Sequence, residues 1–179
     1  MVIKTNNTES NLVKSLFRDF QIQILEGRQF TLNEKNYKEF VQSDRYNTYL
    51  KFTSGEIITG SNALKLLGLL DRDAKDIDIV IPEWKSPQFG KLLELMYSTD
   101  DLENYIGTTW IKYKRGIFSS PINIQFDFFK QVDTDILEFD KLKLENPLNI
   151  IRRKIEIADR LGFRYSEKHC LDLQHILTR

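Results

Sequence analysis

The sequence predicts a small mixed-sheet fold of the α/β (α+β) class, with an N-terminal helix and a C-terminal helical segment. Three observations carry this. The run DIDIVIP alternates acidic and apolar residues over Asp76–Ile79 and stops at Pro82, as a strand with one buried face does. TTWIKYKRGIF and PINIQFDFF are β-rich runs on either side of Ser119-Ser120-Pro121, which predicts a hairpin. From Pro147 onward the apolar residues recur at helical spacing instead.

In chain order, Leu12, Val13, Leu16, Phe17 and Phe20 predict a first helix over about residues 9 to 26, with Asn7, Thr8 or Ser10 as its N-cap. Residues 27 to 47 are irregular and charged. Tyr49–Phe52 and Glu56–Thr59 read as two short extended runs about Ser54-Gly55, and deliver the chain to Gly60-Ser61. NALKLLGLL, residues 62 to 70, reads as a short buried helix broken by DRDAK before the DIDIVIP strand. LLELM marks a helix beginning after Ser86-Pro87. In the tail, Leu148, Ile151, Ile155 and Ala158 form a stripe broadened by Ile150, Ile157 and Leu161, with Gly162 placed to end the helix. A last short helix is expected from about Ser166. With no internal repeat, low-complexity stretch or linker, the expectation is one domain over 1–179, with a core at about 48–130 and a helical segment at about 146–179.

The 179 residues are enough for a genuine hydrophobic core. Lysine plus arginine equals aspartate plus glutamate at 26 each, so no global field draws in a polyanion, and any nucleic-acid contact must use a local basic patch. The single cysteine, Cys170, excludes an intramolecular disulfide and a multi-cysteine zinc site, which points to a reducing compartment. No segment approaches the ~20 apolar residues of a membrane span, and MVIKTNNTESNLVKSLF lacks the pattern of a secretory leader. The expected setting is cytoplasmic, with no membrane partner.

Strand alternation puts Asp76 and Asp78 on one face and Ile77, Ile79 and Ile81 on the other. Adjacent like charges repel unless a cation lies between them, and a hard divalent ion such as Mg²⁺ on a substrate phosphate meets that need. A lone DxD is equally the solvent side of an amphipathic strand. In PINIQFDFF, however, Ile122, Ile124, Phe126 and Phe128 share one face while Asp127 shares the other with Asn123 and Gln125. A third carboxylate is thereby presented outward from a second strand. Convergence of the three suits two-metal chemistry, with ions ~3.5–4 Å apart clamping the attacking and leaving oxygens of a phosphoryl displacement. One ion holds the triphosphate and the other activates an acceptor hydroxyl, whose proton Asp127 accepts. Gly60-Ser61, between an extended run and a helix, lets a phosphate approach the backbone and offers a hydroxyl donor, although as an isolated dipeptide it is equally a turn and an N-cap.

Taken together, TGSNALKLLGLLDRDAKDIDIVI resembles the signature of the DNA polymerase beta superfamily of nucleotidyltransferases: Gly-(Gly/Ser), an intervening helix, then Asp-h-(Asp/Glu)-h. The resemblance spans about residues 55 to 130. It implies that Asp76, Asp78 and Asp127 are catalytic metal ligands for two Mg²⁺ ions, or Mn²⁺, and that Gly60 and Ser61 hold the nucleotide's phosphates. The GSxAL helix, Arg72 and the tail elements, with Lys154 in IIRRKIEIADR and Lys168 and Asp172 in KHCLDL, are similar to abortive-infection-type nucleotidyltransferase toxins and small antibiotic nucleotidyltransferases. The chain departs from the toxins in having no room for a large helical second domain.

Arg72 either touches a phosphate or pairs with Asp71 or Asp73. Lys154 lies on the apolar stripe, away from Arg152, Arg153 and Arg160, so it either snorkels at the stripe's edge or reaches a triphosphate. Lys168 and Asp172 are expected to be a helix ion pair, and His169 and His175 surface or packing residues. Trp110, Lys112, Tyr113, Lys114 and Arg115 mix aromatic and basic groups as an RNA surface does, and as a solvated hairpin does. The expected reaction moves a nucleoside monophosphate from an NTP such as ATP to a hydroxyl of RNA, protein or a small molecule. The alternative is a catalytically silent binding module, for example in a toxin–antitoxin pair.

Overall fold

The computed structural model describes residues 28–47, 57–81, 105–114, 116–130, 135–140, 142–161 and 163–177. The expected helices over 9 to 26 and at LLELM, and the Tyr49–Phe52 run, lie outside these residues. The chain divides into two compact units: Leu32–Asn146, and Met1–Thr31 with Pro147–Arg179. The first extends beyond the expected core of 48–130 on both sides.

In the first unit the elements run α1 (Glu34–Val41), β1 (Ile57–Thr59), α2 (Gly60–Leu66), β2 (Asp76–Ile81), β3 (Tyr105–Tyr113), β4 (Ile122–Lys130), β5 (Ile136–Phe139) and β6 (Leu142–Glu145). The strands form one six-stranded mixed sheet in the order β3-β4-β2-β1-β6-β5. β3 and β4 pair antiparallel as the expected hairpin, β2 runs parallel to β4, and β1 lies between an antiparallel β2 and a parallel β6. The fold is the α/β class that the alternation of helices and strands predicts.

The register assembles the apolar back of the sheet. Ile58 faces Ile79 and Leu144 across its two ladders, Ile77 faces Phe126, and Ile79 faces Phe128. All six are buried, and the rings of Phe126 and Phe128 lie 6.3 Å apart. Each such side chain contributes on the order of 1.5–3 kcal/mol by leaving water. α2 packs against β1 and β2 through Ala63, Leu64 and Leu66, and Asn62 Nδ2 donates to the backbone carbonyl of Asp76 at 2.6 Å. This bond ties the helix to the first residue of the acidic strand.

Within the stretch expected to be irregular, α1 forms. Asn33 caps it, its side chain accepting from the Asn36 N–H at 3.0 Å. Asn33 N–H and Asn36 Nδ2 then donate to the carbonyls of Leu66 and Lys65 at 2.7 and 2.8 Å, which anchors α1 to the end of α2. No residue of α1 is fully buried, and its apolar stripe is only Tyr37, Phe40 and Val41.

The described part of the second unit is α3 (Pro147–Leu161) packed on α4 (Phe163–Leu177). Pro147 opens α3 at the position where its missing N–H costs nothing. α4 starts earlier and is longer than the short helix expected from Ser166. Its Cys170, Asp172, Leu173 and Ile176 are buried, and Asp172 meets Lys154 of α3. No helix among the described residues is long and apolar enough to cross a membrane.

Candidate active site

Three carboxylates meet on the polar face of the sheet. Asp78 is the register partner of Asp127, and Asp76 precedes Asp78 by two residues on the same face. One oxygen from each of Asp76, Asp78 and Asp127 lies within 4.8 Å of the others, and all three residues are half-buried. At that separation each pair of negative charges repels by about 3 kcal/mol at an effective dielectric of ~20, so the cluster favours a cation. An all-oxygen, all-carboxylate donor set fits a hard divalent ion such as Mg²⁺ or Mn²⁺.

Gly60 belongs to the same site. Its φ is +66°, the left-handed region that a side chain disfavours. A Cβ there would also stand only 2.8 Å from Asp78 Cγ and 3.0 Å from Asp78 Cβ. Glycine is thus required twice, once by the backbone and once by the carboxylate lying against it. Ser61 follows, buried, and its Oγ accepts from an Arg72 guanidinium nitrogen at 2.7 Å. Arg72 also donates to the backbone carbonyl of Asp73 at 3.3 Å. The carboxylate of Asp73 is taken by Lys65, whose hydrogen bond and charge, with help from Arg45, hold the Asp73 carboxyl below its ordinary value. Arg72 thereby stands over the Gly60-Ser61 turn, and Ser61, accepting from it, still has its own proton to donate.

No family model matches the chain, and no curated protein matches it. Among solved structures it is similar to JHP933 from Helicobacter pylori, at 14% identity and a TM-score of 0.43. That match covers 69% of this chain and 57% of JHP933, so the chain spans little more than half the length of that structure.

Two polar groups beside the carboxylates were not singled out from the sequence. Gln125, the register partner of Asp76, donates its amide to both oxygens of Asp127 at 3.3 Å, fixing the plane of that carboxylate. Thr59, the register partner of Asp78, donates its hydroxyl to Glu145 of β6, and both are buried. Gln125 was legible as a same-face neighbour two residues from Asp127. The Thr59–Glu145 contact joins residues 86 apart, and no sequence spacing announces it.

Lys154 lies in the other unit. It is 5% exposed, so it does not snorkel to water. Its Nζ donates to Asp172 Oδ2 at 3.0 Å and lies 3.2 Å from His169 Nδ1. Since an ammonium has only protons to give, Nδ1 is the acceptor and His169 carries its proton on Nε2. Asp172 is 2% exposed and Lys168 is exposed, so the expected helix ion pair of Lys168 with Asp172 gives way to a buried pair of Lys154 with Asp172.

Of the hairpin residues, Lys114 is exposed and Arg115 lies outside the described residues. At the tip Ile117 and Phe118 stand in solvent. A cleft of about 690 Å³ opens elsewhere in the first unit, lined by Leu32, Tyr37, Glu138, Phe139, Asp140 and Leu142. It shares no residue with the carboxylate cluster. Among the described residues, Asp76, Asp78 and Asp127 are the one group of three able to share a metal ion, and chemistry rather than cleft size marks them as the site.

Proposed function

We propose that the chain is a metal-dependent nucleotidyltransferase, which moves a nucleoside monophosphate from an NTP to an acceptor hydroxyl and releases pyrophosphate. The observation that carries this reading is the convergence of Asp76, Asp78 and Asp127 within 4.8 Å, with Gly60 packed against Asp78. The resemblance of the GS-helix-DID segment to polymerase beta-type nucleotidyltransferases gives the arrangement its chemistry.

Asp76 and Asp78 would hold two divalent ions, with Asp127 completing the second site. When bound, the ions supply Lewis-acid stabilisation of the triphosphate and make the acceptor hydroxyl more acidic. Asp127 accepts the hydroxyl proton, and Gln125 keeps its carboxylate aimed. The acceptor oxygen forms its bond to the α-phosphorus as the bond from that phosphorus to the β-bridging oxygen breaks. The electron pair leaves with pyrophosphate. Gly60 admits a phosphate to the backbone, while Ser61 and Arg72 offer a hydroxyl and a guanidinium to its oxygens.

The acceptor class is RNA, a protein hydroxyl or a small molecule. Incubation with each α-labelled NTP and Mg²⁺, together with total RNA, protein or candidate small molecules, identifies it by the fraction that retains label. Label transfer by wild type and its loss in Asp78→Asn and Asp127→Asn is the expected result. Equal transfer by either variant refutes the two-metal assignment.

A further inference from the structure

The carboxylate row does not end at Asp78. Across the sheet at one level stand Asp127, Asp78, Thr59 and Glu145, from β4, β2, β1 and β6. The Asp127–Asp78 and Asp78–Thr59 neighbours are register pairs, and Thr59 joins Glu145 by a hydrogen bond. Register partners point to the same side of a sheet, so the row is polar throughout. Its accessibility falls along its length: the aspartates are half-buried, Thr59 is 1% exposed and Glu145 is 0% exposed.

A carboxylate buried this completely is costly, and an apolar pair would join β1 to β6 at least as well. What an apolar pair cannot do is direct the Thr59 hydroxyl. Thr59 occupies the N-cap position of α2, where a threonine ordinarily turns its oxygen toward the first helical amides. Here it makes no side-chain cap bond, because the hydroxyl is turned into the sheet and donates to Glu145. The next residue is Gly60, whose backbone lies against the Asp78 carboxylate with no room for a methyl group.

We infer that Glu145 is a positioning residue of the carboxylate site: by holding the Thr59 hydroxyl it fixes the β1–α2 junction, and with it the distance between the Gly60 backbone and Asp78. The inference rests on the nucleotidyltransferase reading, which gives that distance its importance. A displacement of about 1 Å at a reacting centre costs on the order of 100-fold in rate, so a small shift of this junction is measurable.

The test uses Glu145→Gln, Glu145→Leu and the double variant Thr59→Val/Glu145→Leu, each scored for Mn²⁺ affinity, for kcat and KM of label transfer, and for melting temperature. Glu145→Leu removes the carboxylate that accepts from the Thr59 hydroxyl and is expected to lose both stability and rate. The double variant removes the Thr59 donor together with its Glu145 acceptor, so its melting temperature recovers relative to Glu145→Leu while kcat stays at least ~10-fold low. Glu145→Gln keeps an acceptor for Thr59 and recovers most of the rate. A double variant with wild-type kcat and Mn²⁺ affinity overturns the role of Glu145 and leaves the nucleotidyltransferase reading standing. A wild-type protein that neither binds Mn²⁺ nor transfers label overturns both.

Discussion

Replacing Lys154 with methionine removes one charge and little else, since the thioether fills most of the space of the lysine stem. The charge is the point. Asp172 is 2% exposed and receives Lys154 Nζ at 3.0 Å, so the variant leaves a carboxylate inside the α3–α4 pair with its cation gone. Breaking a buried pair from one side costs about 3–5 kcal/mol, because the remaining ion keeps its desolvation penalty and loses the charge paired with it. For a chain of this size each kcal/mol moves the melting temperature by roughly 2–4 °C, which gives an expected drop of about 6–20 °C. Lys154→Met/Asp172→Leu removes both ions and is expected to regain most of the loss, since apolar pairs of similar volume often match a buried ion pair. The assay is thermal and urea unfolding of the three proteins. A melting temperature unchanged within ~2 °C in the single variant refutes the buried pair and the reasoning built on it.

Gly60→Ala is expected to abolish Mg²⁺–NTP binding, measured by calorimetry, because the new methyl occupies the place of the Asp78 carboxylate; the left-handed backbone adds about 1–2 kcal/mol of destabilisation. Asp78→Asn and Asp127→Asn are expected to melt at or above the wild-type temperature in the absence of metal, since each relieves repulsion within the cluster, and a clear drop contradicts that. Burial, with a smaller contribution from Tyr37, holds the Tyr46 phenol above its ordinary value, so the fold favours the neutral form. Its contribution is complete below pH ~10 and is lost as pH rises through the folded-state value; urea midpoints should therefore fall more steeply above pH ~10 in wild type than in Tyr46→Phe.

The sequence made the site legible where chemistry and periodicity coincide. In β2 and β4 the apolar residues Ile77, Ile79, Ile124, Phe126 and Phe128 fall at every second position and are buried, so the strand phase alone puts Asp76, Asp78 and Asp127 on the other face. Their meeting also needs the two strands to be neighbours in one register, and that is a tertiary fact. The β5–β6 hairpin was not anticipated: ILEF and LKLE are four residues each and carry no glycine or proline at their turn. α1 carries only the short stripe Tyr37, Phe40 and Val41 amid charged residues, and the amide side chains of Asn33 and Asn36 that cap and anchor it leave no spacing signal. For Lys154 the stripe position suggests snorkelling or a phosphate contact, whereas the side chain is buried beside an ion-pair partner. The partner is on the next helix, 18 residues on, where sequence offers only proximity to Lys168.

The central claim, that Asp76, Asp78 and Asp127 form a metal–nucleotide site, is tested most directly by the melting temperature of wild type and Asp78→Asn with and without Mg²⁺–NTP. At a nucleotide concentration about 100 times its Kd, binding stabilises the folded state by about 2.7 kcal/mol, or roughly 5–11 °C for a protein of this size. The account predicts that rise for wild type with at least one Mg²⁺–NTP, its disappearance when Mg²⁺ is chelated, and no rise for Asp78→Asn. No shift of the wild type with any Mg²⁺–NTP, or an equal shift of the variant, contradicts it.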